Sequence, residues 1–366
     1  MTPRPGLTAI TFNHDGGGVA AVARLVRRVF EDEWGSECAV YELSPTAVPP
    51  SAIGRTAGRL RFGARVAAAE VTGQSDWLFH SHLAVARVQR FIPRRLSRPY
   101  AVFLHGIEVW TPLTLSERRL LAGAALVVTN SAHTARRAAD ANPGLPAIAV
   151  CPLGLATATA GRPSAAAADG VTVLTVARMA STERYKGHDQ LLEALPRLRR
   201  RVADARLIFA GAGDDVARLK RKAHDLGVGD HVVFTGFLPE DELRRAYANA
   251  SVFAMPSRGE GFGLTYLEAM AAGLPCVGSV HDAASEIIED GVSGFLIDQS
   301  NTAALADRLA LLLADSARRA EMGRRGRERF EREFTYEHFR RRFVRVIGGA
   351  FAVNVTAESL SSSVAG

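Results

Sequence analysis

Ser251-Val-Phe-Ala-Met-Pro256, followed shortly by Glu260-Gly-Phe-Gly-Leu-Thr-Tyr-Leu-Glu268, reads as a strand, a glycine loop and a helix in that order. The apolar run has strand character, and the glycines allow a close backbone approach at the helix entrance. Eight residues separate Glu260 from Glu268, close to two helical turns, so a continuous helix would put both acids on one face. Glu260 precedes two glycines and is therefore placed on the entering loop, with Glu268 one to two turns inside. The free N–H groups of such a helix start suit an anion. Gly261, Phe262, Gly263 and Leu264 at that start, with an acid on either side, suit a sugar nucleotide with its diphosphate and hydroxyls. A capped surface helix with two solvated acids is the other reading that this stretch leaves open.

Working outward, the 366 residues are enough for two domains with substantial cores. Apolar content of 47% and charged content of 23% are those of a soluble globular protein. No apolar run approaches the ~20 residues of a spanning helix, and Met1–Ile10 lacks the apolar core of a secretory signal. Cys38, Cys151 and Cys276 are odd in number and far apart, which fits buried thiols in a reducing cytoplasm. The net charge of +7 is uneven: residues 1–155 hold 17 arginines, no lysine and 11 acids, an excess of +6. These arginines cluster at Arg24, Arg27 and Arg28, at Arg55, Arg59, Arg61 and Arg65, and at Arg87, Arg90, Arg94, Arg95 and Arg98. Solvated helix faces explain them, and so does an anionic membrane surface or a diphosphate-bearing partner, since Phe62, Leu83, Phe91 and Leu96 lie among them. No nucleic-acid-binding motif is visible, so no nucleic-acid partner is expected.

Short strand-like runs alternate with helical patterns along the chain, which predicts parallel α/β layers. Strands are expected near Leu7–Phe12, Ala39–Leu43, Asp76–His80, Tyr100–His105, Leu126–Thr129 and Ala147–Cys151. After a small-residue linker at 156–170 they resume at Val171–Val176, Ala205–Ala210, His231–Thr235, Val252–Met255, Cys276–Gly278 and Phe295–Ile297. Helices are expected over Val19–Phe30, Ser116–Ala124 and from Glu321 to about Ile347, and the end from Asn354 is expected to fray. Two doubly wound domains in series bind ligands at the carboxyl ends of their strands.

Several strand ends carry chemistry. Asn13-His-Asp-Gly-Gly-Gly18 joins a strand to a helix, and Gly17 and Gly18 allow a phosphate or sugar to approach the backbone; a tight turn without ligand is the alternative. The spacing is not that of a dinucleotide fingerprint, and no acid is evident at the next strand end. His80-Ser-His82 and His105-Gly-Ile-Glu108 place imidazoles and a carboxylate at strand ends, where His80 and His82 suit a structural role as well. Arg178 and Lys186, on one strand-to-helix loop, can converge on a diphosphate, one as a fork and one as a point charge. They would neutralise it without a metal. Gly211 and Phe237 belong to loops expected on the same cleft, and Asp214-Asp215 is expected to cap the helix that follows. No metal-ligand cluster, nucleophile elbow or P-loop lysine is present.

Taken together, these stretches resemble the family 4 glycosyltransferases, retaining enzymes of GT-B fold, over nearly the whole chain and in the right order. The pieces are Gly16–Gly18, His105–Glu108, Arg178 with Lys186, Gly211-x-Gly213, Phe234–Pro239 and Glu260–Glu268, with Phe334–Phe339 opening a closing helix. Tyr336 stands where a tryptophan is common in that family. The resemblance implies two Rossmann-like doubly wound domains facing a central cleft. Residues 1–160 would form the acceptor side, joined by a closing helix at about 335–350; residues 170–334 would bind the nucleotide sugar, and 351–366 would be a frayed tail. It implies that Arg178 and Lys186 bind the diphosphate, Glu268 the ribose, and Glu260 with Gly261–Gly263 the donor sugar. Phe237 would lie near the base and His105 beside the sugar's 6-position, with His80, His82 and Glu108 toward the acceptor. Catalysis would be alignment plus stabilisation of the departing diphosphate, with His105, Glu260, Arg178 and Lys186 as its residues. The donor would be UDP- or GDP-linked and no cofactor or metal would be needed. The acceptor would be a saccharide or lipid-linked saccharide of bacterial exopolysaccharide or surface glycan assembly, met by a cytoplasmic protein peripheral on the membrane. A soluble acceptor, a phosphorylase-like transferase, and a non-catalytic sugar-binding or membrane-surface protein are the alternatives.

Overall fold

A computed structural model describes residues 4–44, 52–155 and 171–351. The expected linker at 156–170 and the tail from Asn354 lie outside these residues. The chain divides into two compact units, Met1–Gly154 with Tyr336–Gly366, and Leu155–Thr335.

In the first unit β1 (Pro5–Ala9), β2 (Ala39–Glu42), β3 (Trp77–His80), β4 (Tyr100–Leu104), β5 (Leu126–Thr129) and β6 (Ile148–Val150) form one sheet in the order β2-β1-β3-β4-β5-β6. Every pairing is parallel. Burial of every residue of β1, β3 and β4 explains their mainly apolar character, which only a sheet covered on both faces tolerates, with the paired Thr8 and His80 as the polar exceptions. Helices α1 (Gly17–Trp34), α2 (Ala52–Thr72), α3 (Leu83–Ala86), α4 (Leu115–Ala122) and α5 (Ala132–Ala141) make the crossovers. The first strand stops three residues short of Phe12. Glu42, at the end of β2, draws the chain out of the ladder by accepting from Thr11 Oγ1 at 3.0 Å and the Phe12 N–H at 2.8 Å.

The second unit has β7 (Thr172–Val176), β8 (Arg206–Ala210), β9 (Val232–Gly236), β10 (Val252–Ala254), β11 (Cys276–Ser279) and β12 (Gly294–Ile297), ordered β12-β11-β10-β7-β8-β9. These strands are also all parallel. Its helices are α6 (His188–Arg199), α7 (Val216–Asp225), α8 (Glu240–Asn249), α9 (Leu264–Ala271), α10 (Ala284–Ile287), α11 (Thr302–Ala314) and α12 (Ser316–Glu333). Leu191, Leu195 and Leu198 of α6 meet Leu305, Leu309 and Leu312 of α11 in a core with Phe209, each fully buried. Such side chains each contribute roughly 1.5–3 kcal/mol on leaving water.

The helical pattern expected from Glu321 to Ile347 is two helices. Phe334 turns into the second unit, 6.3 Å from the ring of Phe262, and breaks α12 from α13 (Tyr336–Phe351). Helix α13 packs in the first unit. Phe343 lies 5.1 Å from Phe79, Phe351 stacks on Trp77 at 4.4 Å, and Arg340 donates to Glu33 at 2.7 Å. The Tyr336 hydroxyl donates to Asp32, and Arg28 lies 4.0 Å over its ring, so a hydroxyl that tryptophan lacks anchors this helix. No described helix is long and apolar enough to cross a membrane. The three cysteines are free, and Cys151 and Cys276 are buried.

Candidate functional site

In the second unit the strand order reverses between β7 and β10, which pair directly. A doubly wound sheet opens its ligand crevice at such a point, because the crossovers leave in opposite directions. The loop after β7 carries Arg178 and Lys186, and the loop after β10 carries Glu260, so topology brings together residues 74 positions apart: Lys186 Nζ donates to Glu260 Oε2 at 2.5 Å. Burial opposes charge on Lys186, but Glu260 outweighs it and holds its pKa above the usual lysine range. Arg178 is held by Glu183 of its own loop. Both cations thus rest on carboxylates.

Helix α9 begins at Leu264 with Gly263 as its N-cap, at φ 99° and without a side-chain cap. Only glycine fits there without strain, since a Cβ would also lie 2.5 Å from the Tyr266 ring. One turn on, Glu268 accepts from the Tyr247 hydroxyl at 2.6 Å; burial raises its pKa, against the lowering effect of that bond. Phe237, at the end of β9, is 66% exposed. Two expectations need correction here. Phe262 is buried against Phe334, so its side chain is core and only its backbone remains at the loop. Asp215 stands at the N-cap of α7 as expected, but its carboxylate takes Arg218 at 2.6 Å rather than a backbone N–H, while Asp214 accepts from the Ser181 N–H at 2.8 Å and ties two loops together. Gly211 has its own structural cause: a Cβ on it would fall 2.1 Å from the Ala177 carbonyl, and one on Gly213 2.0 Å from that of Met179.

In the first unit the order reverses between β1 and β3. The loop after β1 turns at Gly17, φ 66°, into the uncapped start of α1, while Gly18 is exposed with open space where a Cβ would lie. Glu42 and Arg24, the latter donating to the Asn13 carbonyl at 2.8 Å, hold this loop. Glu42 is the strand-end acid that the sequence hides, because nothing in its spacing tells backbone binding from exposure. His82 and His105 stack with ring centroids 5.2 Å apart. His82 Nδ1 accepts from the Ala84 N–H at 2.9 Å, and His105 Nε2 donates to the Ser81 carbonyl at 2.7 Å, which leaves His105 Nδ1 as an acceptor. Burial lowers both pKa values, that of His82 to about 4, so both rings are neutral at neutral pH.

His80 and Glu108 also depart from expectation. His80 is fully buried between Thr8 Oγ1 at 2.8 Å and Gln89 Nε2 at 3.1 Å, so it joins strands rather than meeting an acceptor. Glu108 accepts from the His105 and Gly106 N–H groups at 2.5 and 2.9 Å, so its carboxylate shapes the turn that carries His105. Among the described residues no cluster of three or more His, Cys, Asp or Glu is placed to hold a metal ion.

Residues 162–329 match the model of the family described as glycosyl transferases group 1, and lie within the second unit. That unit is similar to the group 1 glycosyl transferases. Among curated relatives, the GDP-mannose-dependent alpha-(1-6)-phosphatidylinositol monomannoside mannosyltransferase of Mycobacterium tuberculosis is 36% identical over 245 residues, 61% of this chain and 63% of that protein. The protein of the same description from Mycolicibacterium smegmatis is 45% identical over 149 residues, 39% of each chain. The chain thus spans less than two thirds of the length of these relatives. Among solved structures, Anabaena HepE with UDP-glucose has a TM-score of 0.77 at 19% identity, covering 94% of this chain and 99% of that one. Sucrose-phosphate synthase of Thermosynechococcus elongatus has a TM-score of 0.78 at 20% identity, covering 95% and 99%. This is the GT-B fold. The residues expected at the site in the second unit, from Arg178 to Glu268, fall inside the matched range.

Proposed function

We propose that the chain moves a hexose from a GDP- or UDP-linked donor to an acceptor, with retention at the anomeric carbon and without a metal ion. One observation carries this reading: Lys186 rests on Glu260 in the loop entering the uncapped start of α9, and Arg178 rests on Glu183 of the loop that carries Lys186, at a topological switch point. A diphosphate can displace both carboxylates, and the helix start adds N–H donors aimed at an anion. Glu268, held by Tyr247, then takes the ribose hydroxyls, Glu260 the donor sugar, and Phe237 a face of the base. As the bond from the anomeric carbon to the phosphate oxygen breaks, its electron pair goes to the diphosphate, which Arg178 and Lys186 neutralise. The acceptor hydroxyl attacks from the same face and passes its proton to the departing oxygen. His105, whose Nδ1 is left as an acceptor, would take the hydroxyl at the sugar's 6-position.

The relatives' names support GDP-mannose as the first donor to try and a membrane lipid carrying a sugar as the acceptor. A basic, partly apolar face of the first unit supports the same acceptor. Leu60 is 70% exposed on α2 and Phe91 82% exposed beyond α3, among exposed Arg59, Arg61, Arg65, Arg90, Arg94 and Arg95. Phe62 and Leu83, expected on that face, are core. The test is slow donor hydrolysis over a panel of GDP- and UDP-sugars, then transfer to lipid-linked saccharides with the product anomer read by NMR. Turnover of one donor with retention is expected. Inertness toward every GDP- and UDP-sugar, with and without acceptor, contradicts the reading.

A further inference from the structure

Asp282 lies in the turn between β11 and α10 with none of its surface exposed. Its Oδ1 accepts from the Ala284 N–H at 3.0 Å, while Oδ2 is buried with no hydrogen-bond partner among the described residues. The turn is stitched to the Glu260 loop, the Ala283 N–H donating to the Glu260 carbonyl at 3.2 Å. Glu260 faces Asp282 from the loop before α9, Lys186 from the loop after β7, and Tyr266 from α9 itself. His281, the neighbour in the turn, reaches Asp298 at 3.1 Å. One ammonium therefore serves two carboxylates, and Lys186 is committed to Glu260. An ionised Asp282 would be a second, uncompensated anion in a medium of low dielectric. Burial, reinforced by the Glu260 charge and opposed by the backbone N–H groups of Ala284 and Glu260 and by the Lys186 charge, pushes its carboxyl up to about 8, so it carries a proton at neutral pH.

We propose that Asp282 is a positioning residue, a neutral acid whose Oδ2–H is the donor that Glu260 takes up when a nucleoside diphosphate draws Lys186 away. This rests on the assignment of Lys186 to the diphosphate. In the ligand-free chain Lys186 neutralises Glu260; once Nζ turns to phosphate, Glu260 needs another donor to stay ionised and aimed at the sugar. A protonated Asp282 supplies it, and the two carboxyl groups share one proton, as closely placed acids do. The bound state then holds that proton more tightly than the free state. Affinity is full below the free-state pKa and falls as pH rises through it, with proton uptake on binding.

The test is calorimetric titration of the full chain with GDP and with UDP from pH 7 to 9, for the wild type, Asp282→Asn and Lys186→Ala. The amide of Asp282→Asn still accepts from Ala284 and still donates to Glu260. Wild-type affinity is expected to fall between pH 7 and 9 by up to about tenfold, and the variant to keep its neutral-pH affinity without the fall. An equal fall in both, or none in the wild type, overturns the role of Asp282. Should Asp282→Asn not fold, wild-type titrations at pH 8.5 in buffers of different ionisation enthalpy decide: uptake of a fraction of a proton supports the role and none overturns it. Failure of the wild type to bind either nucleotide, or full affinity in Lys186→Ala, instead overturns the diphosphate assignment and this inference with it.

Discussion

Lys186 and Glu260 show how little of the site is visible one residue at a time. Their 2.5 Å contact spans 74 positions and exists because β7 and β10 are neighbours in the sheet. Each was legible in the sequence as a strand-end polar residue beside glycines; the contact between them was not, because sequence spacing carries no strand order. Truncation of Lys186 to Ala is expected to weaken GDP or UDP binding by about 1.5–3 kcal/mol, the worth of a charged hydrogen bond, and calorimetry reads it. The histidines give a second prediction. Burial lowers the pKa of His80 to about 3 and of His188 to about 4. An unfolded chain binds these protons near pH 6.5 and the folded one only below about 4, so stability is full above that upper value and is lost as pH falls. Urea unfolding between pH 7 and 5 should lose up to about 1.4 kcal/mol per pH unit for each histidine. A flat profile contradicts their burial as neutral rings.

Among the elements, strand existence was legible nearly everywhere, because two covered faces demand apolar runs such as Tyr100–Leu104 and Trp77–Phe79. Strand and helix ends were less so, since Glu42 at a strand end and Phe334 at a helix end act by side-chain contacts that local pattern does not encode. The close approach of β8 to the Arg178 loop is an element-level constraint on the site. Gly211, at φ 145°, has the Ala177 carbonyl 2.1 Å from where a Cβ would lie. Gly211→Ala is expected to lower stability by about 1–3 kcal/mol from backbone strain alone, more if the loop cannot give, as a shift of the urea midpoint. It should weaken nucleotide binding as well, because the strained loop is the one that carries Arg178. Tyr336→Phe removes the donor to Asp32, an exposed carboxylate that water can serve instead, and is expected to cost about 0.5–1.5 kcal/mol in the same assay.

Across the whole molecule, charge and chemistry are divided between the units. The excess of +6 in residues 1–155 accompanies the exposed Leu60 and Phe91 of the first unit, whereas the paired cations and carboxylates lie in the second. Each basic residue near an anionic leaflet adds ~1 kcal/mol, so the proposed membrane contact should appear as vesicle binding that salt weakens. Phe91→Ser with Leu60→Ser should reduce sedimentation with anionic vesicles while leaving nucleotide affinity unchanged; equal sedimentation removes that face from the account. The proposed chemistry requires that the second unit bind a nucleoside diphosphate through Arg178 and Lys186. The most direct measurement is titration of the full chain with GDP and UDP in the presence of a chelator, repeated for Arg178→Ala and Lys186→Ala. Binding of at least one nucleotide in chelator, weakened in both variants, is expected. Binding that chelator abolishes, or that neither variant changes, would contradict it.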